Sequence, residues 1–210
     1  MTWIDISVRL APGIKTWPGD TPLELSLKSR ADEEGYNISD INMCLHTGTH
    51  IDAPCHIFGD GVKADEIGFE LLMGKCFLLD ASGLPTAVSR RHIQGKIPEG
   101  AERLIIKTMA DEEYSDDPAD MKRCLEADAV QYALEKGARL IGCDAYSIGG
   151  QGENCRRVHH AALDGGCVLL ERLKLIGVGS GWYEMICLPL KVHADGAPAR
   201  VIIRKAANAF

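Results

Sequence analysis

The chain has 210 residues, 46% of them hydrophobic and 25% charged, which fits one globular domain and excludes disordered or fibrous architectures. Its 23 lysines and arginines against 30 aspartates and glutamates leave a net charge of −7, so no nucleic-acid partner is expected, because that affinity rests on cationic contacts. The longest run without Asp, Glu, Lys or Arg is Ile41–Ile51, far short of the roughly 20 residues that cross a bilayer, so no membrane partner is expected either.

In chain order, the first expected strands are Trp3–Val8 and Leu23–Leu27, short apolar runs bounded by Gly, Pro or charge. The histidine-rich segment His46–His56 comes next and is treated below. Strands are then predicted at Cys76–Asp80 and Leu104–Thr108, followed by a solvated acidic loop over Ala110–Asp120. A helix is predicted over Ala127–Lys136, with Ala127, Val130, Ala133 and Leu134 at helical spacing and Gly137 as its stop. Strand Arg139–Cys143 precedes a second helix over Arg156–Leu163, which ends at Gly165-Gly166. Strands Cys167–Leu170, Glu184–Val192 and Val201–Arg204 complete the set, giving a mixed α/β fold as a single domain over residues 1–210. Eight cysteines without a C-x-x-C pair read as reduced thiols, and Met1-Thr-Trp-Ile-Asp-Ile-Ser lacks the basic start and apolar core of a secretory signal. A cytoplasmic location is expected.

The chemistry concentrates in His46-Thr47-Gly48-Thr49-His50-Ile51-Asp52-Ala53-Pro54-Cys55-His56. Gly48, the threonines and Pro54 oppose a helix, so an extended strand is expected. Its period of two would point His46, His50, Asp52 and His56 to one face. A straight strand would still hold His46 and His50 about 13 Å apart, too far for one ion with bonds of about 2.0–2.1 Å. The chain must therefore bend, and Gly48 is the expected hinge. A structural zinc site would favour cysteines, yet Cys55 has the wrong parity, so a carboxylate-containing catalytic site fits better. His159-His160 on the second helix and Glu171 after the following strand are candidates to complete it.

These residues resemble the cyclase-like metal hydrolases, whose bacterial members include kynurenine formamidases. The resemblance spans nearly the whole chain, from Trp17-Pro18-Gly19-Asp20 through the His46–His56 signature and the His159-to-Glu171 step to Trp182–Leu190 and Asp195–Arg200. It implies a swivelling β/β/α fold, homodimers or homotetramers, and two divalent metal ions per chain, zinc before manganese. It further implies that His46, His50 and Asp52 hold the first metal, with Asp52 bridging to the second. His159 matches a ligand of the second metal and Glu171 a carboxylate shared by both. His56 matches the catalytic proton carrier, a task suited to imidazole near neutral pH, and Trp17 the aromatic residue of the substrate pocket.

The activity implied is that of a dinuclear amidohydrolase acting on N-formylkynurenine or a related aryl formamide, a step of tryptophan catabolism. Two other readings stand beside it: a ring-opening hydrolase of cyclic amides or lactones, as in isatin hydrolase, and a metal-stabilised binding protein without turnover. One loop departs from the formamidase pattern. Asp-Thr-Pro-Ser-x-Asp is replaced by Asp144-Ala145-Tyr146-Ser147-Ile148-Gly149.

Overall fold

A computed structural model describes residues 2–84, 87–115, 117 and 123–206. Its strands are β1 (Ile4–Asp5), β2 (Glu24–Ser29), β3 (Ile38–Asn42), β4 (His50–Asp52), β5 (Met73–Asp80), β6 (Arg103–Lys107), β7 (Leu140–Cys143), β8 (Val168–Glu171), β9 (Gly181–Pro189) and β10 (Gly196–Lys205). The α-helices are α1 (Ala31–Glu34), α2 (Phe69–Leu72), α3 (Arg90–Ile93), α4 (Ala127–Glu135) and α5 (Gly152–Leu163). No helix among the described residues is long and apolar enough to cross a membrane.

The main sheet runs β1-β10-β4-β8-β7-β6-β5-β9, and β9 pairs back onto β10. Closure is possible because β10 divides its partners. Gly196–Pro198 pair with β4, while Ala199–Lys205 pair with β9. Seven strands thus form a barrel-like ring with β1 as a branch. β5 through β8 run parallel, and α3, α4 and α5 lie in the crossovers that parallel neighbours require.

Period-two alternation sorts the ring's side chains into two cores. Leu78, Ile105, Leu140, Leu170, Met185 and Ile203 form one cluster, which fills the ring. Leu79, Leu104, Ile106, Ile141 and Leu169 face the other way, into a cluster with Val130 and Ala133 of α4 and Val158 and Ala162 of α5. The acidic loop contains a short 3-10 turn at Asp111–Glu113, where Asp111 reaches back to Lys107 at 2.6 Å; Asp116, Pro118 and Asp120 lie outside the described residues.

Two expectations need correction. The His46–His56 segment is a strand only over His50–Asp52, so its period of two holds for that pair alone. His46 lies in the turn before it, and His56 in the 3-10 turn Pro54–His56. The second helix starts earlier than expected, at Gly152.

Candidate active site

Ile51 packs inside the ring, so its neighbours His50 and Asp52 point outwards, towards α5. Glu171 lies directly across from His50 in the β4–β8 register and faces the same side as Leu169. Over this face α5 lays His159, which is 6% exposed, while His160 is exposed and meets Phe58 edge-on.

Four atoms groups meet here at revealing distances. His50 Nε2 is 3.3 Å from Asp52 Oδ1 and 3.7 Å from Glu171 Oε2. His159 Nε2 is 3.5 Å from Asp52 Oδ2 and 3.5 Å from Glu171 Oε1. Hydrogen bonds would be shorter. Two ligands sharing a tetrahedral ion with bonds of about 2.0–2.1 Å sit roughly 3.3 Å apart, close to what these pairs show. Both rings are aimed by their other nitrogen: His50 Nδ1–H donates to the Gly48 carbonyl at 2.9 Å and His159 Nδ1–H to the Cys155 carbonyl at 2.8 Å. Each Nε2 lone pair is thereby turned to the carboxylates, the arrangement usual for metal-binding histidines.

Gly48 makes the bend. Its φ of 69° suits glycine and brings the His46 and His50 rings to 5.0 Å between centroids. His46 contacts Asp52 Oδ1 through Nδ1 at 2.7 Å and Asp195 Oδ2 through Nε2 at 3.0 Å. His56 Nδ1 reaches the same Asp195 oxygen at 3.0 Å. Two overlapping groups could therefore hold a cation, His46–Asp52–His56 and His50–Asp52–Glu171, with Asp52 common to both. His56 is near enough to serve as a ligand, and it shares its Asp195 contact with His46.

Electrostatics follow from this crowding. Burial works against a charged His46, yet bonding to Asp52 and Asp195 outweighs it and raises the pKa to about 9. His159 is likewise raised, against burial, by Asp52, Cys155 and Glu171. Burial would push the Asp52 carboxyl up, but His159, His46 and His50 hold it well below the usual range. Asp195 is also lowered, by His56 and His46 against burial.

All seven residues singled out from the sequence line one cavity of about 410 Å³: Trp17, His46, His50, Asp52, His56, His159 and Glu171. The same wall includes Asp195 and Tyr146, which the sequence reading did not assign. Asp195 precedes β10, and only the β10–β4 register brings it to the histidines. Glu171 is held by the Ile148 N–H at 2.8 Å. Imidazole and carboxylate donors without thiolate suit zinc or manganese.

The Cyclase family model matches residues 4–149, which include the turn, β4 and the His56 segment. The chain belongs to the cyclase family. Among cyclase-family relatives, the kynurenine formamidases of Bacillus cereus (strain ATCC 10987 / NRS 248) and Bacillus anthracis are each 37% identical over 204 residues, covering 96% of this chain and 97% of theirs. A solved structure described as a potential metal-dependent hydrolase with cyclase activity aligns with a TM-score of 0.79 at 28% identity, covering 96% of both chains. A structure described as a predicted metal-dependent hydrolase from Bacillus stearothermophilus gives 0.81 at 26%, covering 96% of this chain and 97% of its own. Isatin hydrolase A from Labrenzia aggregata shares the fold, with a TM-score of 0.81 at 22% identity over 98% of this chain and 94% of its own. The chain is thus a cyclase-family hydrolase with the swivelling fold that the resemblance implied.

Proposed function

We propose that the whole chain works as one metal-dependent amidohydrolase of the kynurenine formamidase type, cleaving the C–N bond of N-formylkynurenine or a related aryl formamide. The observation that carries this is the pair of Nε2 atoms, on His50 and His159, flanking the Asp52 and Glu171 carboxylates at 3.3–3.7 Å. In this reading His46, His50 and Asp52 hold one divalent ion, His159 a second, and Asp52 and Glu171 are shared. Two ions bound there, zinc before manganese, would supply Lewis acidity that polarises a carbonyl oxygen and makes water acidic near neutral pH. Asp195 accepts from His56 Nδ1–H and so leaves Nε2 to take a proton from the attacking water and give it to the departing amine. Trp17 offers an apolar wall to the aryl group.

Gly149, where the formamidase pattern has aspartate, has a structural cause. A Cβ there would lie 2.7 Å from Cys155 Cα, so α5 packs too closely for any side chain. That departure does not argue for a different substrate. Elemental analysis of protein purified without added metal, followed by assays with N-formylkynurenine and a cyclic amide, tests the reading. About two ions per chain and turnover of the formamide are expected; turnover of the cyclic amide alone would favour ring opening.

We also infer that the oligomer is at least a homodimer, built on the β2–β3 hairpin. Every residue of β3 is exposed, as are the β2 residues except Ser29, and Leu25, Leu27, Ile38 and Ile41 stand 42–52% accessible. An isolated two-stranded hairpin is marginal in water, so this one needs a cover. Its tip carries Asp32, Glu33 and Glu34 beside Arg30, which pairs with Asp32 at 3.1 Å, leaving a net acidic end. A groove of about 950 Å³ beside the hairpin's own Ile41 has Leu188, Leu190 and Pro198 as apolar lining, with Arg9 and Lys191 at its edge and Arg200 paired there with Asp5 at 2.6 Å. An apolar arm with an acidic tip matches a basic-edged apolar groove on a second copy. All eight cysteines are unpaired, which supports a reducing cytoplasmic setting.

A further inference from the structure

Arg172 is the one non-glycine residue with left-handed backbone among the described residues, at φ 57°. A residue with a Cβ keeps that conformation only where its surroundings impose it, and such positions gather at functional sites. Its side chain is also 2% exposed although cationic. Bonds to three other chain segments help to hold the residue. Its carbonyl accepts from the Thr49 hydroxyl at 2.5 Å, its N–H donates to the Ala145 carbonyl at 3.2 Å, and its guanidinium donates to the Lys15 carbonyl at 3.0 Å. The guanidinium carbon lies 4.2 Å from the centroid of the Tyr146 ring.

Sequence neighbours give these bonds their meaning. Thr49 precedes His50, Arg172 follows Glu171, Ala145 precedes Tyr146, and Lys15 lies two positions before Trp17. One residue therefore touches the Tyr146 ring directly and is bonded to the chain segments that carry Trp17, Tyr146 and His50. Tyr146 and Trp17 have ring centroids 6.2 Å apart at 31°. Inserting a third ring between them would need about 7 Å, two stacking distances of ~3.5 Å, so the pair makes a wall and not a slot.

We propose that Tyr146 is the specificity-determining residue for the aryl part of the substrate, with Arg172 as the positioning residue that fixes this wall relative to Glu171. The proposal rests on the aryl formamide reading and deepens it. In an aryl formamide the ring is bonded directly to the amide nitrogen, so wall and polar centre must keep a fixed spacing. A displacement of about 1 Å is enough to spoil such alignment.

The test compares formanilide with N-butylformamide in metal-loaded wild type, Tyr146→Ala, Tyr146→Phe, Arg172→Gly and the double variant Tyr146→Ala/Arg172→Gly. Glycine tolerates φ 57°, so Arg172→Gly removes the guanidinium without opposing the backbone. Tyr146→Ala is expected to lower kcat/KM for formanilide about tenfold more than for N-butylformamide, the loss falling mainly on KM. Tyr146→Phe should behave as wild type, and Arg172→Gly should reproduce the selectivity loss. Because Arg172 acts through Tyr146, the double variant should be no worse than Tyr146→Ala alone. Equal losses for both amides, or multiplied losses in the double variant, would overturn the proposal. Should Arg172→Gly not fold, Tyr146→Ala set against Tyr146→Phe decides on selectivity alone. A wild type inactive on both amides would count against the formamidase reading instead. Calorimetric binding of 2-aminoacetophenone then decides: about tenfold weakening in Tyr146→Ala supports the wall, and unchanged affinity overturns it.

Discussion

Gly196 stands where any side chain would strike His46: a Cβ there would lie 2.6 Å from His46 Cε1 and 2.7 Å from the Ile51 carbonyl oxygen. Ring rotation could relieve the first contact. The second is backbone and cannot yield without parting β10 from β4, where Gly196 pairs with Asp52. Gly196→Ala should therefore cost about 1–3 kcal/mol and lower metal content, as overpacking does. Denaturant melts and elemental analysis check both, and a variant matching wild type in each would refute the contact's importance.

His56→Ala should keep its metal while turnover falls about 10²- to 10⁴-fold, the usual worth of a positioned acid–base group. Asp195→Asn retains an acceptor for His56 and should lose less. If His56→Ala instead loses an ion, His56 is a ligand, as its closeness to His46 and Asp52 allows.

Much of this was readable from the chain, and the exceptions have physical causes. β6, β7 and β8 announce themselves because they are buried along their length around short apolar runs, and β5 does so only over Cys76–Leu79. β3, Ile38-Ser-Asp-Ile-Asn, buries neither face, so it has no apolar pattern to read. The histidine cluster was visible as composition, but its shape depended on the Gly48 turn, and parity described only His50 and Asp52. Asp195 stands in a segment that carries the family resemblance, but nothing local ties it to the histidines. Its place at the site comes from the pairing of a strand 149 residues beyond His46.

The raised pKa of His46, about 9, gives metal-free protein a defined pH response. Between the ordinary value of 6.5 and about 9 the folded state holds a proton the unfolded state has released, so stability falls as pH rises through this window. The contribution is fully present below pH 6.5 and is on the order of 3 kcal/mol. Denaturant titrations in chelator at both ends of the window measure it; a flat profile would exclude the His46–Asp52–Asp195 linkage. Metal affinity should run the other way, rising with pH as the displaced protons leave more readily.

Chelation should abolish turnover without unfolding the chain. Neither aliphatic cluster draws its packing from a ligand side chain, and each buried Leu or Ile adds about 1.5–3 kcal/mol. Circular dichroism of chelated protein should match that of the loaded form, with activity returning on zinc or manganese addition. Unfolding on chelation, with no hydrolysis of any amide, would favour a metal-stabilised binding protein.

Leu25→Glu with Leu27→Glu should convert the oligomer to monomer, read by light scattering on an eluting peak. Both side chains are exposed in the single chain, so the fold itself should survive the change. A wild type already monomeric would remove the hairpin's proposed role.

Closing the ring with β10 has a consequence for synthesis. Protein chains emerge from the ribosome amino-terminus first, so His46 and His56 leave the exit tunnel long before Asp195 can clamp them. The site is therefore complete only once β10 lies between β4 and β9. A chain cut before Asp195 would carry the candidate ligands without the acceptor for His56, and is expected to be inactive.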